Sequence, residues 1–194
     1  MPTPDVSKYP ILSFPTQKDW HDWLVQNHDS VDGIWLHMFK KDSEIKSINY
    51  ALALDEALCF GWIDGQGKKY DETSWLQKFT PRRAKSIWSK RNTLYVERLT
   101  KEGRMQPAGQ IEIDKAKADG RWNAAYESQK NMVMPEDFLK ELDKFPEAKS
   151  FYEKLSNTNK FSIFFRLTSA KKSETRQKRF DQLLEMLKKG EKFH

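Results

Sequence analysis

Strand-like patterns occur only in the first part of this chain, which restricts the folds that it can adopt. Residues 34–39 alternate between the two faces of an extended segment, and a polar turn then leads to a short run at residues 44–48, which predicts a hairpin. Residues 63–69 and 74–80 flank a Tyr-Asp-Glu turn and predict a second hairpin. From Pro135 onwards the patterns are helical. The sequence therefore predicts the α+β class.

Residues that favour helix ends mark the helices. Thr16, Asn49 and Ser86 have side chains that cap helix N-termini, and Pro107 favours a first helical turn. The helix after Ser86 is predicted to end at Gly103. Four more helices are predicted in the segments PEDFLKELDKF, PEAKSFYEKL, NKFSIFFRLTSA and SETRQKRFDQLLEMLKKG.

The change of pattern predicts two domains. Residues 1–130 would form an α+β domain with a small antiparallel sheet and flanking helices. Residues 131–194 would form a small C-terminal helical bundle. The segment between the two patterns, NAAYESQKNMVM, carries no clear periodicity, and the predicted boundary lies within it.

The composition indicates a folded protein and suggests a compartment. Hydrophobic residues make up 38% of the chain and aromatic residues 13%. The one cysteine permits no internal disulfide and is typical of a reducing compartment. The N-terminal residues lack the basic-then-apolar pattern of an export signal, and no apolar run approaches the roughly 20 residues of a membrane span. We therefore expect a soluble, cytoplasmic protein without membrane insertion.

Positive charge is concentrated in two zones of a chain whose net charge is +6. Residues 66–104 contain 11 basic and 4 acidic residues, and residues 160–194 contain 10 and 4. Such zones suit nucleic acids or anionic metabolites. Basic helical faces are also common on ordinary soluble proteins, so both interpretations stay open.

The sequence contains no complete catalytic or metal-binding motif. No His-x-x-x-His or Cys-x-x-Cys pair occurs, so we predict neither a metal nor a cofactor. Cys59 lies between Leu58 and Phe60, a setting typical of an inert buried thiol. Asp64, in the Trp-Ile-Asp-Gly turn, could contact a substrate or bond its own backbone. A hydrolase or transferase using Asp64 or Cys59 therefore lacks its other catalytic residues, and no enzyme activity is predicted.

The segment FTPRRAKSIWSKRN has the composition of an anion site. Arginine side chains hold carboxylates and phosphates, and a helix beginning after Ser86 would add backbone amide donors. Tryptophan rings would stack on an aromatic or aliphatic part of the ligand. The predicted ligand-binding residues are Trp62, Asp64, Arg82, Arg83, Ser86, Trp88, Ser89 and Asn92.

The alternative to this pocket is that its residues are structural. The two arginines would then pair with nearby acids such as Asp64, Asp71 and Glu72, while the tryptophans fill the core. The residues by themselves do not decide between these interpretations.

A second candidate site lies at the start of the last predicted helix, in KKSETRQKR. Basic residues there could contact nucleic-acid phosphates or a protein partner. However, they are not interleaved with aromatic residues in an RNA-recognition pattern, and no helix-turn-helix is evident. The residues of this candidate site are Lys171, Lys172, Arg176 and Arg179.

Several of these segments together resemble a known family. In chain order they are DEALCFGWIDG, FTPRRAKSIWSKRN, ERLTKEGRMQPAG and AKADGRW, followed by MPEDFLKEL and SAKKSETRQKRFDQLLEML. This series is similar to the YdeI/OmpD-associated family, also called the bacteriocin-protection family, from about Trp20 to Gly190. The resemblance implies a role in stress or bacteriocin protection and a helical C-terminal module. It implies no reaction and no catalytic residues.

The predicted function combines both lines of reasoning. We expect a stress-protection protein that binds a small anionic molecule between the Trp62–Asp64 turn and the Arg82–Asn92 segment. The alternative is a nucleic-acid or protein-interaction module that acts through the basic C-terminal helix.

Overall fold

A computed structural model of the chain describes residues 8–192. They form two compact units, residues 8–88 with 92–124 and residues 89–91 with 125–192. Residues 1–7, part of the segment inspected for an export signal, lie outside the described residues, as do residues 193–194 of the predicted C-terminal domain. Compactness alone does not locate an independently folding domain, so the division at residue 130 stays a prediction.

Among the described residues, the first unit contains a four-stranded sheet and four helices, the first two residues of the third helix belonging to the second unit. In chain order the elements are β1 (Ile11–Leu12), α1 (Gln17–Asn27), β2 (Ile34–Phe39), α2 (Tyr50–Cys59), β3 (Trp62–Lys69), β4 (Ser74–Pro81), α3 (Lys90–Lys101) and α4 (Pro107–Ala118). The strand order is β1-β2-β4-β3, with β1 parallel to β2 and the other two pairings antiparallel. Strand β4 therefore has a hydrogen-bonded neighbour on each side.

One predicted hairpin is confirmed and the other is wrong. Strands β3 and β4 pair in antiparallel register around the predicted turn, but residues 44–48 form no strand. Strand β2 pairs with β4 and β1 instead. The amide of Ile48 donates to the carbonyl of Phe14 at 2.9 Å, and the Ser47 hydroxyl accepts from the amide of Phe39 at 3.0 Å. These single hydrogen bonds hold the segment in place while β1 occupies the edge of β2.

The predicted caps of α1 and α2 are confirmed. The Thr16 hydroxyl accepts from the amide of Asp19 at 3.2 Å, and the Asp19 carboxylate accepts from the amide of Thr16 at 3.0 Å, forming a capping box. The Asn49 side chain accepts from the amide of Leu52 at 3.0 Å. After α2, Gly61 has a φ of 74°, a left-handed conformation that favours glycine and turns the chain into β3.

Tryptophan rings fill the core between the sheet and α1 and α2. The Trp20 ring in α1 lies 5.9 Å from the ring of Phe79 in β4 and 6.2 Å from that of Trp62 in β3. Its indole N–H donates to the carbonyl of Ala53 in α2 at 3.1 Å. Large aromatic side chains contribute heavily to core stability, so Trp20 anchors α1 on the sheet.

Helix α3 begins at Lys90, so the prediction that Ser86 caps a helix is wrong. The amide of Ser86 donates to the carbonyl of Arg83 at 2.8 Å, which closes a turn, and the residues that follow are not helical. Ser89 then forms a parallel bridge with Tyr126, whose carbonyl accepts from the amide of Lys90 at 2.9 Å. This long-range pairing keeps the chain extended until Lys90.

Helix α2 buries two adjacent carboxylates, Asp55 and Glu56, and both are paired. The Arg98 Nη2 atom lies 2.6 Å from each carboxylate oxygen of Asp55. The Arg104 Nη2 atom lies 2.6 Å from Glu56 Oε1, and His21 Nδ1 lies 2.9 Å from Glu56 Oε2. Because a buried charge is costly unless it is paired, these contacts fix α2 against α1, α3 and the segment after α3.

The second unit is helical. Among the residues described, it contains a short 3₁₀ turn at Gln129–Asn131 and the helices α5 (Glu136–Leu142), α6 (Pro146–Glu153), α7 (Asn157–Thr168) and α8 (Ser173–Lys188). These are the four predicted C-terminal helices. Their apolar faces meet in one core that includes Phe138, Ile163, Leu167, Phe180 and Leu187.

The predicted α+β class is confirmed by a sheet with flanking helices, followed in sequence by helices alone. Within residues 8–192, no helix combines the length and the apolar composition needed to cross a membrane. All predicted ligand-binding residues except Ser89 belong to the first unit. The four basic residues of the second candidate site belong to the second unit.

We expect Glu56→Gln to lower the free energy of unfolding at pH 7 by about 2–3 kcal/mol, because the substitution removes the closest counter-charge of Arg104. Burial by itself raises the pKa of Glu56, but hydrogen bonds from Gln17, His21 and Arg104 outweigh it, and the pKa lies below its ordinary value. A carboxylate of this kind stabilises the fold above its unfolded-state pKa and loses that contribution as the pH falls.

Urea unfolding at several pH values measures this effect. The difference between parent and variant should be full at pH 7 and shrink as the pH falls below the ordinary value of 4.5. Glu97→Gln, an exposed change on α3, is the matched control and should alter stability by less than about 0.5 kcal/mol. Equal stability of parent and Glu56→Gln at pH 7 would contradict the role of the ion pairs.

Candidate functional site

The two faces of strand β4 carry different chemistry. Phe79 points toward α1, where its ring contacts Trp20, and the alternation of a strand places Lys78 and Thr80 on the opposite face. Lys78 lies opposite Trp35 of β2, and Thr80 lies opposite Ile63 of β3. These residues belong to the face of the sheet that α1 does not cover.

A pocket of about 600 Å³ lies on this face, at the end of β4 and beside the loop that follows it. Its lining residues are Ile63, Gly65, Gln66, Lys78, Thr80, Pro81, Arg83, Lys85, Ser86 and Ile87. Gly65 lies beside the Lys78 side chain, where an added Cβ would be 3.4 Å from its nearest carbon. The absence of a side chain at residue 65 leaves the aliphatic part of Lys78 uncovered on that side.

Three cationic side chains line this pocket, and no lining residue is acidic. Within residues 8–192, Lys78, Arg83 and Lys85 form no ion pair, although other lysine and arginine side chains do. The Lys78 ammonium lies 4.4 Å from the ring centroid of Tyr9, a cation–π contact that leaves its charge unneutralised. The lining of the pocket therefore carries a net positive charge.

The adjacent residues Arg82 and Arg83 occupy different environments. Arg82 is 8% exposed, and its guanidinium carbon lies 3.5 Å from the ring centroid of Trp88. Its Nη1 donates to the carbonyl of Ile87 at 3.4 Å, and its amide donates to the carbonyl of Gly61 at 2.9 Å. Arg82 is thus buried under the loop, whereas the next residue, Arg83, is exposed and lines the pocket.

Arg121 and Trp122 support the same loop from a distant part of the sequence. Arg121 Nη1 donates to the carbonyl of Ser86 at 2.8 Å, while its Nε donates to the Asp119 carboxylate at 2.7 Å. The rings of Trp88 and Trp122 lie 4.9 Å apart. These contacts fix the backbone that carries Arg83, Lys85 and Ser86.

The structure brings only part of the predicted site to the pocket. Arg83 and Ser86 line it, and Arg82 and Trp88 lie beneath its loop. The remaining predicted residues lie elsewhere.

Trp62 is 1% exposed, and its indole donates to the carbonyl of His28 at 2.9 Å. Asp64, on the helix side of the sheet, accepts from the hydroxyl of Tyr50 at 2.6 Å. Asn92 is buried in α3, and Ser89 belongs to the second unit. None of these four residues lines the pocket.

The acids proposed as structural partners of the arginines are engaged elsewhere. Asp64 bonds to Tyr50, the Asp71 carboxylate accepts from the amide of Thr73 at 2.7 Å, and Glu72 pairs with Lys69. Hydrogen bonds with Ser74 and Thr73 lower the pKa of Asp71. Among the described residues, no acid neutralises Arg83.

Sequence reasoning missed Lys78, Lys85 and Arg121. The alternation in SWLQKFTP would have placed Lys78 opposite to Phe79 on the sheet. Arg121 occurs in the motif AKADGRW, but its contact with Ser86 spans 35 residues and has no local signal.

The basic C-terminal residues divide into two pairs. Arg176 Nη2 lies 2.7 Å from the Asp137 carboxylate, and Arg179 Nη1 donates to the carbonyl of Arg166 at 2.9 Å. These bonds join α8 to α5 and to the end of α7. Lys171 and Lys172, just before α8, are exposed.

Among residues 8–192, no group of three histidine, cysteine or acidic side chains could hold a metal ion. Cys59 is buried, and desolvation, together with the negative charge of Glu56, raises the pKa of its thiol to about 12. The thiol therefore stays protonated at neutral pH and is a poor nucleophile.

The first unit is thus an α+β fold with a cationic surface pocket, followed in sequence by a helical unit. Residues 12–112, just over half of the chain, match a family described as a domain of unknown function (DUF8412), and the chain belongs to that family. Residues 131–190 match the model described as bacteriocin-protection, YdeI or OmpD-associated. The resemblance to this family, expected from about Trp20 to Gly190, is confirmed over residues 131–190. No curated protein and no solved structure matches the chain.

We expect Cys59 to resist alkylation in the folded protein. Its burial and its raised pKa, about 12, leave almost no accessible thiolate at pH 8. Iodoacetamide should modify the native protein at least a hundredfold more slowly than the protein unfolded in guanidinium, as measured by intact mass. Since the chain has only one cysteine, each added mass reports on Cys59 alone. Similar rates in both states would show a reactive thiol.

Proposed function

We propose that the protein binds a small anionic molecule in the pocket beside β4. The observation that carries this proposal is that Lys78, Arg83 and Lys85 surround one pocket and, among the described residues, have no acidic partner. A cluster of unneutralised cations is electrostatically unfavourable by itself. A bound carboxylate or phosphate would relieve this repulsion.

The lining residues suit a ligand with a charged end and an apolar part. The planar guanidinium of Arg83 can hold a carboxylate or phosphate through two parallel hydrogen bonds, while Lys78 and Lys85 act as point charges. Thr80 and Ser86 add hydroxyl groups, and apolar contacts come from Ile63, Pro81 and Ile87. A volume of about 600 Å³ lies within the usual range for small-molecule sites.

The support beneath the loop would favour binding. Arg82, Trp88 and Arg121 hold the backbone from Arg83 to Ser86 in place. A loop that is already ordered loses less conformational entropy when a ligand binds. We therefore assign Arg82, Trp88 and Arg121 a positioning role in this proposal.

We also propose that binding serves stress or bacteriocin protection in the cytoplasm. The description of the family model at residues 131–190 supports the protective role. The single buried cysteine is compatible with a reducing compartment. Cell fractionation tests the location, and bacteriocin survival of a deletion strain complemented by parent or Arg83→Gln protein tests the link to the pocket.

A thermal-shift screen of the full chain tests anion binding. Phosphate, sulfate, citrate and mononucleotides are the probes, at two chloride concentrations. A ligand at a hundred times its Kd stabilises the folded state by about 2.7 kcal/mol, so the parent midpoint should rise by roughly 5–10 °C. The double variant Arg83→Gln/Lys85→Gln should lose this shift while remaining folded, because the pocket then keeps only one cation.

Lys130→Gln/Lys154→Gln is the matched control, since it removes two exposed lysines of the second unit that form no ion pair among the described residues. It should keep the full shift. The proposal fails if no anion stabilises the parent, or if the pocket variant and the control respond equally.

A further inference from the structure

The face of the sheet that bears the pocket also carries an aromatic cluster. The His37 ring of β2 lies 4.4 Å from the ring of Phe39 and 4.5 Å from that of Tyr70. Tyr70, just after β3, is 54% exposed, and His37 and Phe39 are partly exposed. The exposed Tyr70 ring, tilted by 57° against the His37 ring, offers a face on which another ring can stack.

The register of the strands places this cluster and the pocket on the same face. His37 lies opposite Leu76, and Trp35 lies opposite Lys78. Strand residues two apart point to the same side, so Leu76, Lys78 and Thr80 share one face. Leu76 and Thr80 are four residues apart, and the aromatic end and the pocket end are therefore separated by roughly 14 Å.

A fourth cation without an ion pair among the described residues lies at the aromatic end. Lys68 of β3 is opposite Leu76 and, like the three pocket cations, forms no ion pair with any residue from 8 to 192. The acids near the aromatic end, Asp71 and Glu72, belong to the β3–β4 turn, where Thr73 and Lys69 contact their carboxylates. Positive charge thus occurs at both ends of this face, on which Tyr9, Trp35 and Leu76 form a buried cluster.

We propose that this face binds single-stranded nucleic acid. Its phosphates would contact Lys68, Lys78, Arg83 and Lys85, and its bases would stack on Tyr70 and His37. Cations that follow a backbone together with exposed aromatic rings are the two features that single-strand binding requires. Unstacked bases of a single strand can stack on aromatic side chains, whereas bases inside a duplex do not present their faces.

This inference goes beyond the binding of a small anion. It requires Tyr70 and Lys68, which do not line the pocket. It also differs from an interaction through the basic residues before α8. An acidic peptide would satisfy the cations but would gain nothing from the aromatic rings.

Fluorescence anisotropy with the full chain tests the proposal. The probes are fluorescein-labelled 12-nucleotide single-stranded RNA and DNA of mixed sequence and the corresponding DNA duplex. The better single strand should bind at least tenfold more tightly than the duplex. Tyr70→Ala should weaken binding about fivefold or more, because one stacked base is lost, while Tyr70→Phe should retain it. Lys68→Gln should reduce the slope of log K against log salt by about 0.7, the effect of one phosphate contact.

Two control variants separate this face from other surfaces. Tyr95→Ala on α3 and Lys130→Gln in the second unit should leave affinity and salt slope unchanged. The inference is overturned if no oligonucleotide binds at low salt, or if Tyr70→Ala binds as well as the parent. It is also overturned if Lys171→Gln/Lys172→Gln abolishes binding while the face variants keep it, or if polyglutamate competes as well as unlabelled RNA or DNA.

The thermal shift with phosphate tests the small-anion proposal separately from the nucleic-acid proposal. Tyr70→Ala should keep the anion-induced shift, because Tyr70 lies outside the pocket lining. A parent protein that responds to phosphate but binds no oligonucleotide would refute only the nucleic-acid proposal. Absence of the phosphate shift would refute only the small-anion proposal, provided that the single strand still binds and depends on Tyr70.

Discussion

The register of strand β4 determines what each face of the sheet can do. Phe79 contacts Trp20 on the helix side, while Lys78 lies beside Tyr9 and Trp35 on the other. Because side chains alternate with a period of two, a shift of one residue would bury Lys78 and expose Phe79. Both neighbouring strands pair with β4 in antiparallel register and prevent such a shift. The packed core and the cationic face are consequences of the same pairing.

In the loop after β4, a buried arginine, Arg82, precedes an exposed one, Arg83. Burial of the Arg82 charge is costly, and the Trp88 ring and the Ile87 carbonyl offset part of that cost. Arg121, also buried, is compensated by Asp119 and by the backbone of the loop. The exposed position of Arg83 depends on these buried neighbours. Tryptophan and arginine therefore act together at this loop, with the tryptophan beneath the pocket instead of forming its wall.

Features with local causes could be predicted from the sequence, and those with distant causes could not. Thr16 and Asn49 cap their helices through residues three positions away, and both caps were predictable. Strand β1 has two residues and pairs with a strand more than twenty positions later, so no local pattern marks it. Ser89 pairs with Tyr126 immediately before α3, and the helix therefore starts later than the prediction from Ser86. Composition indicated the segment that contains Arg83 and Ser86, but the other lining residues depend on pairings across the sheet.

The charge that a basic zone presents to a ligand excludes the cations that form ion pairs or hydrogen bonds within the fold. In residues 66–104, Arg98 and Arg104 neutralise the buried carboxylates of α2 and contribute little to the outside potential. Arg176 and Arg179 likewise hold the helices of the second unit together. What remains in the first zone includes Lys68 and Lys78 on one face of the sheet and Arg83 and Lys85 in the loop beside it. These four cations have no acidic partner among the described residues. Because these cations lie on or beside one face of the sheet, that face is where an anionic ligand would be bound most favourably.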